Sequence, residues 1–144
     1  EENHFRWDSL GEFCALGESL KFLSAVQGNP KARVLGNAVD AATQGILDNN
    51  RSPGPKVGQA DNRDSHFYFS LYWAQALAAQ TEDAGLASHF KSIAKALAEN
   101  EQTIIAELAS TQGMAADLGG YYHTSPQKTE AVMRPSQTFA RIIG

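Results

Sequence analysis

Three consecutive residues, Arg6, Trp7 and Asp8, have types and a spacing that could do chemistry. An arginine can grip a phosphate with two donors of its planar guanidinium, and a nearby carboxylate can accept hydrogen bonds from sugar hydroxyls. The three residues stand directly before a predicted helix, so the chain entering that helix holds Arg6 and places Asp8 beside the unpaired amides of the first turn. Because an Arg-x-Asp pattern is most often a surface ion pair, it suggests a phosphate and sugar site without requiring one.

The histidines and the single cysteine do not form a recognisable site. No pair of histidines has a metal-ligand spacing such as i, i+4 on one helix, and we interpret each as a surface or capping residue. The cysteine lies within the first predicted helix, near its apolar face, and is interpreted as a small core residue. No glycine-rich loop follows a strand, so the sequence has no dinucleotide fingerprint and no P-loop. The residues concerned are His4, His66, His89, His123 and Cys14.

Two pairs of acidic residues also fall short of a metal site. Glu99 and Glu101 lie near the middle of a long predicted helix, while Asp61 and Asp64 flank the end of a loop. Neither pair supplies the three or more oxygen ligands that a divalent cation normally takes. We interpret all four as solvated carboxylates. The residues alone therefore indicate a helical domain and no particular reaction.

The elements that must position Arg6 and Asp8 are helices. Ser9 and Glu12 have the Ser-x-x-Glu spacing of a capping box, and the apolar residues at 13, 16, 20 and 23 follow at helical spacing. They predict a first helix over residues 9–26 that ends at Gly28. Asn29 and Pro30 are typical of the first residues of a second helix.

Two further helices are predicted in the second half of the chain. Residues 64–80 are unusually aromatic and apolar on all sides, which is typical of a central helix buried among its neighbours. Thr81, Glu82 and Asp83 then resemble a helix start, and one apolar face continues over about 28 residues until Gly113.

The segments between the helices are a middle loop and a C-terminal tail. Residues 49–63 are rich in proline and glycine, and a loop of this length is either a ligand-contacting loop or a solvated linker, with roughly equal weight. Residues 114–144 form an irregular tail with one short helix between Pro126 and Pro135 and a last turn over residues 136–143. The sequence thus predicts an all-α fold in which residues 1–144 form one unit of about five or six helices around one core, with the tail wrapping over it.

Composition excludes several classes of function. The 144 residues suit one compact unit, and 12 basic residues against 16 acidic ones give a net charge of -4. The basic residues are scattered, so nucleic acid is not an expected partner. No apolar run approaches the ~20 residues that cross a bilayer, which argues against a membrane protein. The lone Cys14 has no intramolecular disulfide partner, and we expect a protein of the reducing cytoplasm.

Several strings, in order along nearly the whole chain, resemble the C-terminal segment of monomeric, NADP-dependent isocitrate dehydrogenases. Residues 6–13 read Arg-Trp-Asp-Ser-Leu-Gly-Glu-Phe, as near the start of that segment. Asp-Asn-Arg at residues 61–63 precedes Ser-His-Phe-Tyr at 65–68, and Asp-Leu-Gly-Gly-Tyr-Tyr occupies residues 117–122. The resemblance implies the C-terminal part of the small, composite domain of an enzyme that oxidises and decarboxylates isocitrate to 2-oxoglutarate.

The resemblance also implies which residues contact the cofactor. Arg6 matches an arginine that contacts the adenosine 2'-phosphate of NADP, and Asp8 matches an acid beside the adenosine end. The ligands of the catalytic Mg or Mn ion, the substrate-binding residues and the catalytic residues lie upstream in the family, so none is expected in this chain. The expected partner is therefore the remainder of the dehydrogenase chain, or a second copy that pairs through the exposed interface.

Two positions depart from the family pattern. Where the family has an arginine that contacts phosphate in the middle loop, this chain has Pro55 followed by Lys56, which would substitute as a point charge without the planar fork. Where the family has a glycine after Asn-Arg, this chain has Asp64, which would be strained if the glycine needed a positive φ.

Two hypotheses follow from these observations. In the first, the chain is the C-terminal part of a working dehydrogenase and is inactive alone. In the second, it is a stand-alone helical binding module derived from that family, in which Pro55 and Asp64 record relaxed cofactor constraints.

Overall fold

The computed structural model describes residues 3–144 and is all helical over that range. It contains seven α-helices: α1 (Leu10–Gln27), α2 (Pro30–Asp48), α3 (Asn62–Ala79), α4 (Ala84–Glu99), α5 (Glu101–Ala109), α6 (Pro126–Met133) and α7 (Gln137–Ile143). The all-α prediction is confirmed. The number of helices exceeds the five or six expected because the long helix over residues 81–113 is divided into α4 and α5, and because the predicted last turn is a helix.

The division falls at Asn100, whose backbone has φ -103° and ψ 10°. The Asn100 side chain donates from Nδ2 to the carbonyl oxygen of Ala96 at 2.8 Å, next to the backbone bond that closes α4. Asparagine competes in this way with helical backbone bonds. Leu97 before the break and Ile104 after it are both fully buried, so the apolar stripe continues across the two helices.

Helix α3 is the central helix, as the aromatic pattern predicts. It packs against both α2 and α4, and Phe67 and Leu77 from α3 are 1% exposed. The ring of Phe69 stacks on Phe13 of α1 at 4.0 Å between centroids. The aromatic residues therefore serve the core.

Helix α7 packs on α4 and α5. The hydroxyls of Ser136 and Thr138 and the backbone N–H of Thr138 donate to the Glu107 carboxylate at 2.5–3.2 Å. These three bonds hold the start of α7.

The start of α2 follows the predicted chemistry, whereas α4 is capped by Asp83 and not by Thr81, and Ser9 does not cap α1. Asn29 accepts from the backbone amides of Lys31 and Ala32, and Gly28 ends α1 with a left-handed φ of 62°. The Ser9 side chain makes no cap bond to α1, so the capping box predicted with Glu12 is wrong. Asp8 takes its place, since its Oδ1 accepts from Leu10 N at 2.9 Å.

Helix α1 is buried on one side only. Gly17 in α1 and Gly36 in α2 meet closely, because a Cβ added to Gly36 would lie 3.1 Å from the carbonyl oxygen of Gly17. On the opposite side several apolar residues face solvent, which we call the outer face of α1: Leu16, Phe22, Leu23 and Val26. Phe22 is 70% exposed and Val26 is 65% exposed. Cys14 is exposed as well, so its interpretation as a core residue is wrong.

Candidate functional site

The predicted site residues lie in an irregular segment, residues 3–9, that leads into α1. The side chains of Arg6 and Asp8 are exposed, and Trp7 is 48% exposed. The Trp7 ring packs against Phe5 with 5.2 Å between centroids. The segment therefore leaves the charged side chains of Arg6 and Asp8 accessible to solvent just before α1 begins.

Asn62, the first residue of α3, binds the backbone on both sides of Arg6. Its backbone N–H donates to the carbonyl oxygen of Phe5 at 2.7 Å. Its side-chain Nδ2 donates to the carbonyl oxygen of Trp7 at 2.9 Å and to Ser9 Oγ at 2.8 Å. These bonds explain why Ser9 does not cap α1: its hydroxyl is held by a residue 53 positions away.

A buried ion pair between Asp61 and Arg63 anchors the beginning of the segment. Arg63 is 5% exposed, and its Nη2 donates to Asp61 Oδ2 at 2.7 Å and to the carbonyl oxygen of Asn3 at 2.9 Å. Its Nη1 donates to the carbonyl oxygen of Val132 at 2.7 Å and to Thr111 Oγ1 at 3.0 Å. One guanidinium thus joins the start of the chain to α3, to the end of α5 and to α6. Asp61 is fully buried, so its interpretation as a solvated carboxylate is wrong.

Asp64 is also buried, and it completes the start of α3. Asp64 Oδ2 accepts from the backbone N–H of Asp61 at 2.8 Å, while Asp61 Oδ1 accepts from Arg63 N at 2.9 Å. Burial raises the pKa of Asp64 to about 6. The hydrogen bond from the Asp61 amide lowers this pKa, and repulsion from the Asp61 carboxylate raises it. Asp64 lies in the first turn of a helix and not at positive φ, so the strain considered for the glycine position is absent. The Asp-x-x-Asp spacing before an aromatic helix is the sequence signal that identifies this cap.

Glu99 and Glu101, the other acidic pair, differ in their surroundings. Glu99 is exposed and lies 3.7 Å from Lys95 Nζ, as expected of a solvated carboxylate. Glu101 instead accepts from the Tyr68 hydroxyl at 2.8 Å. Burial first, and this bond second, raise the pKa of Tyr68 to about 12. Glu101 therefore serves packing between α3 and α5.

The middle loop is pinned to the end of α5 by Gln112. Gln112 Oε1 accepts from the backbone N–H of Gly58 at 3.0 Å, and Gln112 Nε2 donates to the carbonyl oxygen of Gln59 at 3.1 Å. Lys56 lies between these attachment points and the loop entrance, with an exposed side chain. These bonds fix the loop backbone that follows Lys56 and so hold Lys56 in place.

His4 links this loop to the segment that carries Arg6 and Asp8. Its Nε2 lies 2.8 Å from the carbonyl oxygen of Gly54, and its Nδ1 lies 3.1 Å from Gln112 Oε1. His4 is 9% exposed, so its interpretation as a surface or capping residue is wrong, whereas His66, His89 and His123 are exposed as expected. The structure therefore ties together the two segments that carry the three predicted cofactor residues. No local sequence pattern reveals Gln112 or His4, because their partners are distant in the chain.

A groove of about 830 Å³ opens beside the same segment. Its lining includes Trp7 and Ser9 together with His66 of α3 and, from the tail, Arg134 and Phe139. Among residues 3–144, no three histidine, cysteine, aspartate or glutamate side chains come together as metal ligands. Within the same range no helix is both long and apolar enough to cross a membrane.

Comparison with known proteins agrees with the resemblance in the sequence. The family model for monomeric isocitrate dehydrogenase matches residues 1–144. The chain is 58% identical over 139 residues to an isocitrate dehydrogenase [NADP] of Azotobacter vinelandii, covering 96% of this chain and 19% of that protein. It is 53% identical over 143 residues to isocitrate dehydrogenase [NADP] 2 of Colwellia maris, covering 99% of this chain and 19% of the relative.

A third relative matches to a similar degree. Isocitrate dehydrogenase [NADP] 2 of Mycobacterium tuberculosis is 53% identical over 139 residues, again 96% of this chain and 19% of that protein. The chain thus spans about a fifth of the length of these relatives. The family model matches all 144 residues, and the sequence identity to these relatives exceeds 50%. This chain therefore belongs to the monomeric isocitrate dehydrogenase family.

Proposed function

We propose that this chain is the C-terminal part of an NADP-dependent isocitrate dehydrogenase, and that it supplies the edge of the cofactor site that holds the adenosine 2'-phosphate. The observation that carries the proposal is the segment over residues 3–9. Its backbone is fixed by buried residues of α3, while Arg6 and Asp8 remain exposed at its surface. The names of the relatives supply NADP as the cofactor to be tested.

The residues present fit a phosphate monoester. Arg6 supplies a planar fork of donors that matches phosphate oxygens, and Lys56 supplies a second cation on a loop tied to the same segment. Asp8 uses one carboxylate oxygen for Leu10 N, and its role is to orient the adenosine end by accepting from the 3'-hydroxyl, the one ribose hydroxyl that the 2'-phosphate leaves free there. NADP accepts a hydride when bound in the complete enzyme, and these residues bind and orient it at a distance from the reacting atoms. The ligands for Mg or Mn and the residues that act on isocitrate belong to the remaining polypeptide.

The 2'-phosphate distinguishes NADP from NAD, so the test of Arg6 is a test of selectivity. In the complete enzyme, Arg6→Ala should weaken NADP binding by ~1–3 kcal/mol and leave NAD nearly unchanged, because it removes charged hydrogen bonds to phosphate alone. The measurement is kcat/KM for each cofactor at saturating isocitrate. Exposed Lys95→Ala on α4 serves as the charge-matched control and should alter neither value. Equal losses for both cofactors in Arg6→Ala would contradict the proposal.

The outer face of α1 supports incorporation in a longer polypeptide. A helix that is apolar around most of its circumference is normally buried, and Phe22 and Val26 are exposed in this chain. We propose that the remaining polypeptide of the enzyme covers this face. We also propose that residues 1–144 fold as one unit within it and that the enzyme works in the cytoplasm, where the exposed Cys14 stays reduced.

The same exposed face supports the second candidate, a stand-alone helical module that binds another protein or a second copy of itself. The encoding gene separates the two candidates. A long reading frame continuous with and upstream of Glu1 supports the dehydrogenase. A start codon close to Glu1 would instead support the module.

A further inference from the structure

We propose that Asn62 is a positioning residue for cofactor selectivity: its side-chain amide holds the backbone around Arg6 and Asp8 in the conformation that grips the 2'-phosphate. The inference rests on the proposed function of Arg6 and Asp8. Asn62 is 3% exposed, and it acts through the chain and not by touching the nucleotide. It is therefore distinct from Arg6, Asp8 and Lys56.

The geometry of the amide accounts for the choice of asparagine. One Nδ2 group carries two hydrogens, and two acceptors lie within reach of it: the Trp7 carbonyl oxygen at 2.9 Å and Ser9 Oγ at 2.8 Å. The first acceptor follows Arg6 directly, and the second follows Asp8 directly. The backbone N–H of Asn62 binds the Phe5 carbonyl oxygen at 2.7 Å, on the other side of Arg6. One buried residue thus fixes the chain before, between and after the two cofactor residues.

The segment needs this support because it has no regular structure of its own. Residues 3–9 lie outside the helices, so no ladder of backbone bonds fixes their dihedral angles. A phosphate site gains affinity when its donors are held in the binding orientation before the ligand arrives. The Asn62 side chain supplies that order to Arg6, whereas the neighbouring Asp61–Arg63 pair anchors the segment earlier, at Asn3 and Phe5.

The test is a double-mutant cycle in the complete enzyme. Asn62→Ala keeps the backbone bond to Phe5 and removes both side-chain bonds. We expect the ratio of kcat/KM for NADP to that for NAD to fall about tenfold, as for one lost charged hydrogen bond, while the KM for isocitrate is unchanged. In an Arg6→Ala background, Asn62→Ala should lower the ratio no further, because the group through which it acts is gone.

The matched control is Asn29→Ala, which removes another asparagine at a helix start. Asn29 Oδ1 accepts from Lys31 N and Ala32 N at the start of α2. Its loss should lower the melting temperature without altering the NADP to NAD ratio. A purely structural role for Asn62 would make Asn62→Ala behave in the same way, and that result would overturn the proposal.

Ser9→Ala gives a milder second variant if Asn62→Ala does not fold. It removes one of the two acceptors and should lower the NADP to NAD ratio in the same direction by a smaller factor. An unchanged ratio in folded Ser9→Ala, or losses that add to those of Arg6→Ala, would overturn the positioning role. If Arg6→Ala itself leaves the ratio unchanged, the proposed function fails, and that outcome is distinct from the others.

Discussion

Arg6 and Asp8 are exposed, yet their backbone is held by residues that are among the most buried in the chain. Asp61, Asn62 and Arg63 are at most 5% exposed, and each binds the segment that carries the two predicted cofactor residues. A buried ion pair contributes little net stability by itself, since desolvation offsets much of the attraction. Its contribution at this position is orientation, because the guanidinium of Arg63 satisfies acceptors on four separate parts of the chain.

Asp64 provides a residue-scale prediction for pH. Burial raises the pKa of Asp64 to about 6, above its ordinary value of 3.8. A carboxyl with a raised folded-state pKa contributes stability that is fully present below pH ~4 and is lost as the pH rises through ~6. Asp64→Asn keeps an acceptor for the Asp61 amide and cannot ionise. The mutant should therefore gain stability relative to the wild type between pH 4 and 7, by at most about 3 kcal/mol.

The measurement is the free energy of unfolding in urea at pH 4, 5, 6 and 7 for both proteins. Asp48→Asn, at the exposed end of α2, is the control and should keep the pH dependence of the wild type. If wild type and Asp64→Asn have parallel pH profiles, Asp64 is ionised at its ordinary pKa and the prediction is wrong.

At the scale of elements, the close contact of α1 with α2 depends on Gly17. A Cβ at Gly17 would lie 2.6 Å from Oδ1 of Asp40, an exposed carboxylate that can rotate away, and 3.2 Å from Cγ1 of Val39, which is fully buried and cannot move freely. Gly17→Ala should therefore destabilise the chain by about 1–3 kcal/mol despite the better helix propensity of alanine.

Gly11 offers the matched control within the same helix. A Cβ at Gly11 would meet nothing within 4 Å, so Gly11→Ala should be neutral or stabilise by up to about 1 kcal/mol. Thermal unfolding of the two variants distinguishes contact between helices from propensity. A Gly17→Ala variant at least as stable as Gly11→Ala would show that the two helices do not depend on the close approach.

Helix starts and ends were predictable where local chemistry decides them, and less so where distant residues intervene. Gly28 and Asn29–Pro30 mark their boundaries through backbone preferences that need no tertiary contact. Ser9 has the spacing of a cap, but Asn62 binds its hydroxyl, so the local pattern misleads. The break at Asn100 is invisible to periodicity because the apolar stripe runs through it.

The same division applies to the candidate site. Arg6 and Asp8 could be proposed from their types, their place before a helix and the family resemblance, whereas the residues that hold them could not. Gln112 meets Gly58 across 54 positions, and Arg63 meets Val132 across 69. Such pairs follow from the tertiary fold, which a single sequence does not display. Whether Arg6, Asp8 and Lys56 bind NADP stays a prediction.

At the scale of the whole molecule, we expect the isolated chain to have no catalytic activity. Our proposal places the residues that bind the metal and isocitrate in the other four-fifths of the enzyme, so this segment would hold only one edge of the cofactor. The measurement is isocitrate-dependent reduction of NADP by the purified chain with Mg²⁺ or Mn²⁺ present, with the complete enzyme as the positive control. Turnover by the isolated chain would refute this proposal.

The outer face of α1 should make the isolated chain associate with itself. Exposing Phe22 and Val26 together leaves an apolar surface that self-association would remove from water. The double variant Phe22→Ser, Val26→Ser should lower the weight-average mass of the isolated chain in analytical ultracentrifugation. It should also destabilise the complete enzyme, where we propose that the face is covered. Ser19→Ala on the same helix is the control. Unchanged behaviour of both proteins would show that this face has no partner.

The hydrogen bonds of the Arg63 guanidinium have a consequence for how the protein folds during synthesis. Its guanidinium donates to the carbonyl oxygens of Asn3, near the beginning of the chain, and Val132, near the end, so its set of acceptors is incomplete until both have been synthesised. A ribosome releasing the chain residue by residue would expose Asp61 and Arg63 long before Val132 leaves the exit tunnel. The segment over residues 3–9 can therefore acquire its final shape only after residue 132 has been synthesised, even though its own residues emerge well before that point.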